Sequence, residues 1–103
     1  DETIQKDIEF FESFSQSRSK ISIESSLHDK VITMIAKEMK KKYEINQLDG
    51  IKININDDTW SLIRKSNTED IIRVSTESNN KQLLKKIQSE MIKKVECCYE
   101  EIK

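Results

Sequence analysis

Ile51-Lys52-Ile53-Asn54-Ile55-Asn56-Asp57-Asp58-Thr59-Trp60-Ser61-Leu62-Ile63-Arg64 is the stretch that decides the fold. Ile51, Ile53 and Ile55 alternate with Lys52, Asn54 and Asn56, the period of a strand with one face buried and one wet. Asp57-Asp58 supplies a turn, because aspartate bonds to its own backbone there. A second strand follows, with Trp60, Leu62 and Arg64 on one face and Ser61 and Ile63 on the other. Asp49-Gly50 marks a turn ahead of the hairpin, and Gly50 is the one glycine in the chain.

Toward the C-terminus, Ile71 to Ser78 reads as another strand, with Ile72, Val74 and Thr76 facing opposite to Arg73, Ser75 and Glu77. Asn79 or Asn80 then caps a final helix, where Leu84, Ile87, Met91, Val95, Cys98 and Ile102 recur at steps of three and four. Toward the N-terminus, Leu27, Val31, Ile35 and Met39 form a helical stripe over about Leu27–Lys42. Ser26 and Asp29 resemble a capping box at its start, and Lys40, Lys41 and Lys42 suit the negative end of its dipole. Ile21-Ser22-Ile23 alternates as a strand, and the polar run Ser15–Lys20 reads as a linker. Ile4, Ile8, Phe11 and Phe14 predict a short helix over 3–15, with Thr3 as its cap. The order β-α-β-β-β-α behind a leading helix builds an α+β domain: an antiparallel sheet of about four strands with helices packed on one face, preceded by a short helix.

The chain has 103 residues, 35% of them hydrophobic, enough for one modest core. Its 18 basic and 19 acidic residues nearly cancel, which argues against a general nucleic-acid binder. No apolar run approaches the roughly 20 residues that span a bilayer, so no membrane partner is expected. Neither signal peptide nor disulfide framework is evident: Cys97 and Cys98 are adjacent and read as one packed and one half-exposed thiol in a reduced, cytoplasmic chain. The start at Asp1 without methionine suggests a piece of something longer.

The chemistry concentrates in Arg64-Lys65-Ser66-Asn67-Thr68-Glu69-Asp70 and in Arg73 on the next strand. A guanidinium matches two phosphate oxygens at once and keeps its charge. Ser66 and Thr68 add hydroxyls, Asn67 an amide, and turn N–H groups can converge on an anion. The plainer alternative is a charged hairpin turn whose arginines pair with Glu69 and Glu77. Elsewhere the residues point to ordinary roles. His28 reads as a solvated helix residue, Asp57 and Asp58 as turn formers, and Met34, Met39 and Met91 as core or near-core. Trp60 reads as a core residue, with a wall beside the phosphate loop as the alternative. No nucleophile–base pair, carboxylate dyad or metal cluster emerges, so no catalytic residue is expected.

Asp49-Gly50-Ile51-Lys52-Ile53, then Asp57-Asp58-Thr59-Trp60-Ser61-Leu62-Ile63-Arg64-Lys65-Ser66-Asn67-Thr68-Glu69, resembles the C-terminal domain of the α-D-phosphohexomutases. That superfamily includes phosphoglucomutase/phosphomannomutase and phosphoglucosamine mutase. The match runs in order through Glu77, and the flanking helices are compatible over about Ile21–Lys103. The resemblance implies a TATA-binding-protein-like fold and one of four domains of a cytoplasmic, magnesium-dependent enzyme. That enzyme moves a phosphoryl group between carbons 1 and 6 of a hexose phosphate. Phosphoserine, magnesium loop and sugar-recognition loop would lie in other domains of the same enzyme, as partners of this one. By position, Arg64, Ser66, Asn67 and Thr68 would hold the non-reacting phosphate, and Arg73 would join them or buttress Arg64. Glu69 would position the loop. Residues 1–20 would form the hinge or the end of the preceding domain, with Phe10, Phe11 and Phe14 packing at that joint, and 21–103 the phosphate-binding domain.

The family's two loop prolines are replaced here by Lys65 and Asp70. Proline lowers the entropy lost on ordering a turn, so a more mobile loop is expected, with Lys65 as an added charge for phosphate. Asn67 in place of glycine leans toward the phosphomannomutase/phosphoglucomutase branch. A stand-alone α+β interaction module without catalytic role is the alternative reading of the whole chain.

Overall fold

A computed structural model describes residues 15–47 and 50–103. In chain order it contains β1 (Ser15–Ser22), a 3-10 turn (Ser25–Leu27), α1 (His28–Lys40), β2 (Glu44–Asn46), β3 (Ile51–Asn56), β4 (Thr59–Lys65), β5 (Ile71–Ser78) and α2 (Lys81–Ile102). The five strands form one sheet in the order β1-β5-β4-β3-β2, every neighbouring pair antiparallel. Both helices pack on one face of it and on each other. This is the α+β architecture expected, with one strand more. The helix expected over 3–15 falls almost wholly outside the described residues, and its last position, Ser15, begins β1.

The alternating isoleucines do what their period requires. Ile51, Ile53, Ile63, Ile72 and Val74 are buried under the helices, where they meet Val31, Ile35 and Met39 of α1 and Ile87, Met91, Val95 and Cys98 of α2. At the end of the β3–β4 hairpin the register shifts between Asn54 and Asn56, and Ile55 is left half-buried. Fully burying such a side chain is worth about 1.5–3 kcal/mol, so this cluster fixes which way the sheet faces.

Four expectations are overturned. First, Ser15–Lys20 is not a linker: it is most of β1, paired with β5 along its whole length. Its alternation is Ser-Gln-Ser-Arg-Ser-Lys, with small hydroxyls toward the helices and long side chains outward, so no apolar signal announces it. Second, no capping box opens α1. Leu27 occupies the N-cap without a side-chain bond, and the 3-10 turn tightens the entry instead. Third, that turn swings His28 inward. It is 2% exposed, and its Nε2 lies 2.7 Å from the Ile23 carbonyl. A carbonyl only accepts, so Nε2 carries the proton. Fourth, Trp60 is not in the core but on the sheet's open face, half-buried, with Lys52 Nζ 4.9 Å from its ring centre.

The covered face also holds a polar ladder that sequence periodicity did not reveal. Gln88 of α2 donates through Nε2 to the Val74 carbonyl and the Ser19 hydroxyl, both at 3.1 Å. Its Oε1 accepts from Thr76 at 2.6 Å, and Thr76 lies 2.8 Å from Ser61. Thr76 has one hydroxyl proton and spends it on Gln88, so Ser61 is the donor in the second bond. Thr59 and Ser78 make a parallel pair at 2.8 Å. These buried groups are mutually satisfied, which a covered face requires. At the start of the last helix, Asn80 caps α2, its side chain accepting from Leu83 N at 2.9 Å.

Candidate phosphate site

Strand alternation sends the even-numbered residues of β4 to the face without helices. Arg64, Leu62 and Trp60 stand there beside Arg73, Ser75 and Glu77 of β5. Arg64 and Arg73 are direct cross-strand partners. Both line a depression of about 570 Å³ on this face, together with Arg18 and Lys20 of β1 and with Trp60 as one wall. A smaller one of about 230 Å³ lies at the strand ends, lined by Arg64, Asn67, Gly50 and Asp29 among others. Of the residues expected to meet a phosphate, Arg64 therefore bridges both depressions, Arg73 belongs to the larger and Asn67 to the smaller. Ser66 and Thr68 line neither.

Ser66 also has a structural task. Its Oγ accepts from the backbone N–H of Thr68 at 3.2 Å and of Glu69 at 3.1 Å, and its own N–H closes the hairpin on the Ile71 carbonyl at 3.1 Å. The hydroxyl thus holds the turn together, and it takes up the N–H groups of Thr68 and Glu69. Its hydroxyl proton remains a donor. Glu69 reaches back to Arg73 at 3.6 Å, a half-exposed ion pair that fulfils part of the plain charged-turn reading.

The two positions without proline carry tethers. Asp70 accepts from Ile23 N through its carbonyl and from Ser25 N through Oδ1, both at 3.0 Å, and so ties the loop to the link between β1 and α1. Lys65 points to the opposite face from Arg64 and pairs with Asp29 of α1 at 2.9 Å. That ammonium holds the Asp29 carboxyl below its ordinary range. Lys65 is therefore a strut between loop and helix, and it also lines the smaller depression with Arg64 and Asn67. Hydrogen bonds at both ends do part of what the prolines' fixed backbone would do.

Gly50 has φ +78°, and a Cβ there would overlap the Ile63 carbonyl and come within 2.7 Å of Arg64 Cβ. The glycine is needed for its backbone conformation and for the close approach of the two chain segments beside Arg64. Away from this face, Cys98 is buried, which pushes its thiol up, while Cys97 is exposed. Tyr99 donates to Glu24 at 2.6 Å, which lowers the Glu24 carboxyl and raises the phenol. Among the described residues no group of three His, Cys, Asp or Glu is placed to hold a metal ion. Among the same residues no helix is long and apolar enough to cross a membrane.

Arg18 and Lys20 line the larger depression but were not singled out from sequence, because they sit on the strand taken for a linker. The period-2 spacing of Ser15, Ser17 and Ser19 was the available signal.

Comparison with known proteins agrees with the loop and its setting. The family described as phosphoglucomutase/phosphomannomutase, C-terminal domain, matches residues 24–94, which include the whole hairpin and most of both helices. A probable phosphoglucosamine mutase of Methanosphaera stadtmanae is 29% identical over 89 residues, 82% of this chain and 20% of that protein. One from Methanopyrus kandleri is 26% identical over 84% of this chain and 19% of its own length. The phosphoglucosamine mutase of Methanococcus maripaludis strain C7 is 35% identical over 73% of the chain and 17% of its own. The chain thus spans about a fifth of the length of these relatives, and their names differ from the branch toward which Asn67 leaned. A five-stranded antiparallel sheet under two helices, with an Arg-Lys-Ser-Asn-Thr hairpin at its mouth and a family match over 24–94, makes this chain a member of the phosphoglucomutase/phosphomannomutase C-terminal domain family.

Proposed function

We propose that this domain grips the non-reacting phosphate of a hexose phosphate while a phosphohexomutase transfers a phosphoryl group between carbons 1 and 6. The observation that carries the reading is the cross-strand pairing of Arg64 with Arg73 at the mouth of the Ser66–Glu69 turn. Two planar guanidinium groups from adjacent strands suit a phosphate's oxygens. Asn67, the Ser66 hydroxyl proton and Thr68 complete the proposed contacts, while Glu69 and Asp70 hold the loop.

The role is binding rather than bond-making. Energy gained at the remote phosphate closes the cleft and aligns the reacting one. Both phosphates of the sugar take this grip in turn, so the contacts go to phosphate and not to a sugar face. The relatives' names point to a hexosamine phosphate as substrate, a choice made by the other domains. Those domains also carry the magnesium and the chemistry, in a cytoplasmic enzyme. The joint to them is read in residues 1–20, of which Ser15–Lys20 form part of β1.

In the full-length mutase, Arg64→Ala is expected to lower kcat/KM about a hundredfold, the loss of roughly one charged hydrogen-bonding partner. Circular dichroism should show the fold retained. Unchanged kcat/KM would remove this loop from the reaction. The 103-residue chain alone should lack mutase activity.

A further inference from the structure

We propose that Lys20 is a third phosphate-binding cation, which with Arg73 and Arg64 completes a row of positive side chains across three strands. This rests on the assignment of Arg64 and Arg73 to phosphate. Lys20 is the cross-strand partner of Arg73 in the β1–β5 pair, and Arg73 is the partner of Arg64 in the β4–β5 pair. Opposed side chains share a face, with Cβ atoms about 4.5–5.5 Å apart. The three cations therefore stand side by side over about 10 Å, with Arg73 in the middle, and all three line the same depression.

Like charges at opposed positions repel and destabilise a sheet. The next rows show how the same face handles charge when no anion is wanted. Arg18 donates to Gln16 Oε1 at 3.1 Å, and Gln16 donates to Glu77 at 2.8 Å, so that end is tied into a polar chain ending on a carboxylate. Among the described residues the Lys20 side chain makes no hydrogen bond or ion pair, and it is exposed. Glu69 lies 3.6 Å from Arg73 in a half-exposed pair, loose enough for an arriving phosphate to displace. Such a row is a standing cost for the empty domain and a favourable field for a dianion, since a phosphomonoester carries about −1.5 to −2 charges at neutral pH. Lysine suits the outer place. Its ammonium is a mobile point charge on a flexible stem, able to follow a phosphate presented from either end of the sugar.

The test uses the 103-residue chain and two probes, inorganic phosphate and glucose 1-phosphate, followed by backbone amide shifts. Wild-type shifts are expected at Ser19–Ile21, Arg73 and the 66–68 turn. Lys20→Gln should weaken both probes about tenfold, Lys20→Arg should hold affinity within about twofold, and Lys86→Gln on the exposed side of α2 should change nothing. Lys20→Gln should also raise the melting temperature without phosphate, by relieving repulsion, and shrink the increase that phosphate produces. If Arg64→Ala abolishes the shifts while Lys20→Gln binds as wild type, the role of Lys20 is overturned and the Arg64 grip stands. If neither probe moves the open face or the turn in the wild type, the grip itself falls.

Discussion

The two faces of one sheet carry opposite kinds of residue from the same strands. Under the helices, β4 buries Thr59, Ser61 and Ile63; on the open side it shows Trp60, Leu62 and Arg64. The covered face satisfies its needs internally, with isoleucines in a closed cluster and hydroxyls in a bonded ladder ending on Gln88. The open face does the reverse, placing arginine beside arginine and lysine. A surface built for stability alone would not oppose like charges in this way. The difference separates the part that makes the fold from the part proposed to meet a ligand, although neighbours along the chain alternate between the two.

That separation can be broken most severely at Ile63. Ile63→Ala removes a fully buried side chain and should cost about 2–5 kcal/mol in urea unfolding, whereas Leu62→Ala, next door on the open face, should cost about 1 kcal/mol. Equal losses would mean that the open face is as tightly packed as the covered one. A smaller effect is expected at Gln88. Gln88→Ala leaves Ser19, Thr76 and the Val74 carbonyl short of partners and should cost about 1–3 kcal/mol by the same measurement, with phosphate affinity kept. If phosphate binding falls in proportion to stability, the two faces are coupled and the division fails.

The smallest effect concerns the strut between Lys65 and Asp29. The ammonium depresses the folded-state pKa of Asp29 below its ordinary 3.8. A depressed carboxyl contributes stability above its unfolded pKa and loses that contribution as pH falls through the folded value. Wild type should therefore be slightly more stable than Asp29→Asn at about pH 6, and the gap should close once the pH drops well below 3.8. Both groups are largely exposed, so the gap should also shrink in high salt. A difference that persists in acid would assign Asp29 some other role in seating the loop.

Much of this was legible from local pattern, and the reasons are specific. Ile51-Lys52-Ile53 and Ile71 to Thr76 announce strands because burial on one face leaves a period of two, and the hairpin between β4 and β5 puts Arg64 and Arg73 together through a short loop. Other residues had no such signal. Ser15–Lys20 has no apolar residue to mark its alternation, so only the Ile21–Ser22 end of β1 was expected and Lys20 went unread, while the three-residue β2, Glu44–Asn46, was not expected at all. His28 turned inward because a 3-10 turn, rather than a side-chain cap, starts α1. Trp60 left the core because its strand neighbours Thr59 and Ser61 took the covered side.

The sequence by itself determined the α+β class, the phosphate-compatible turn and the family resemblance, since each is written in short-range spacing of apolar, turn-forming and basic residues. Tertiary structure alone decided what surrounds that turn. Lys20 and Arg73 are far apart in the chain, and only the register of β1 on β5 sets them side by side. Asp70 and Lys65 likewise gain their meaning from Ser25 and Asp29, on a segment whose distance is closed only when the core of isoleucines draws the helices onto the sheet.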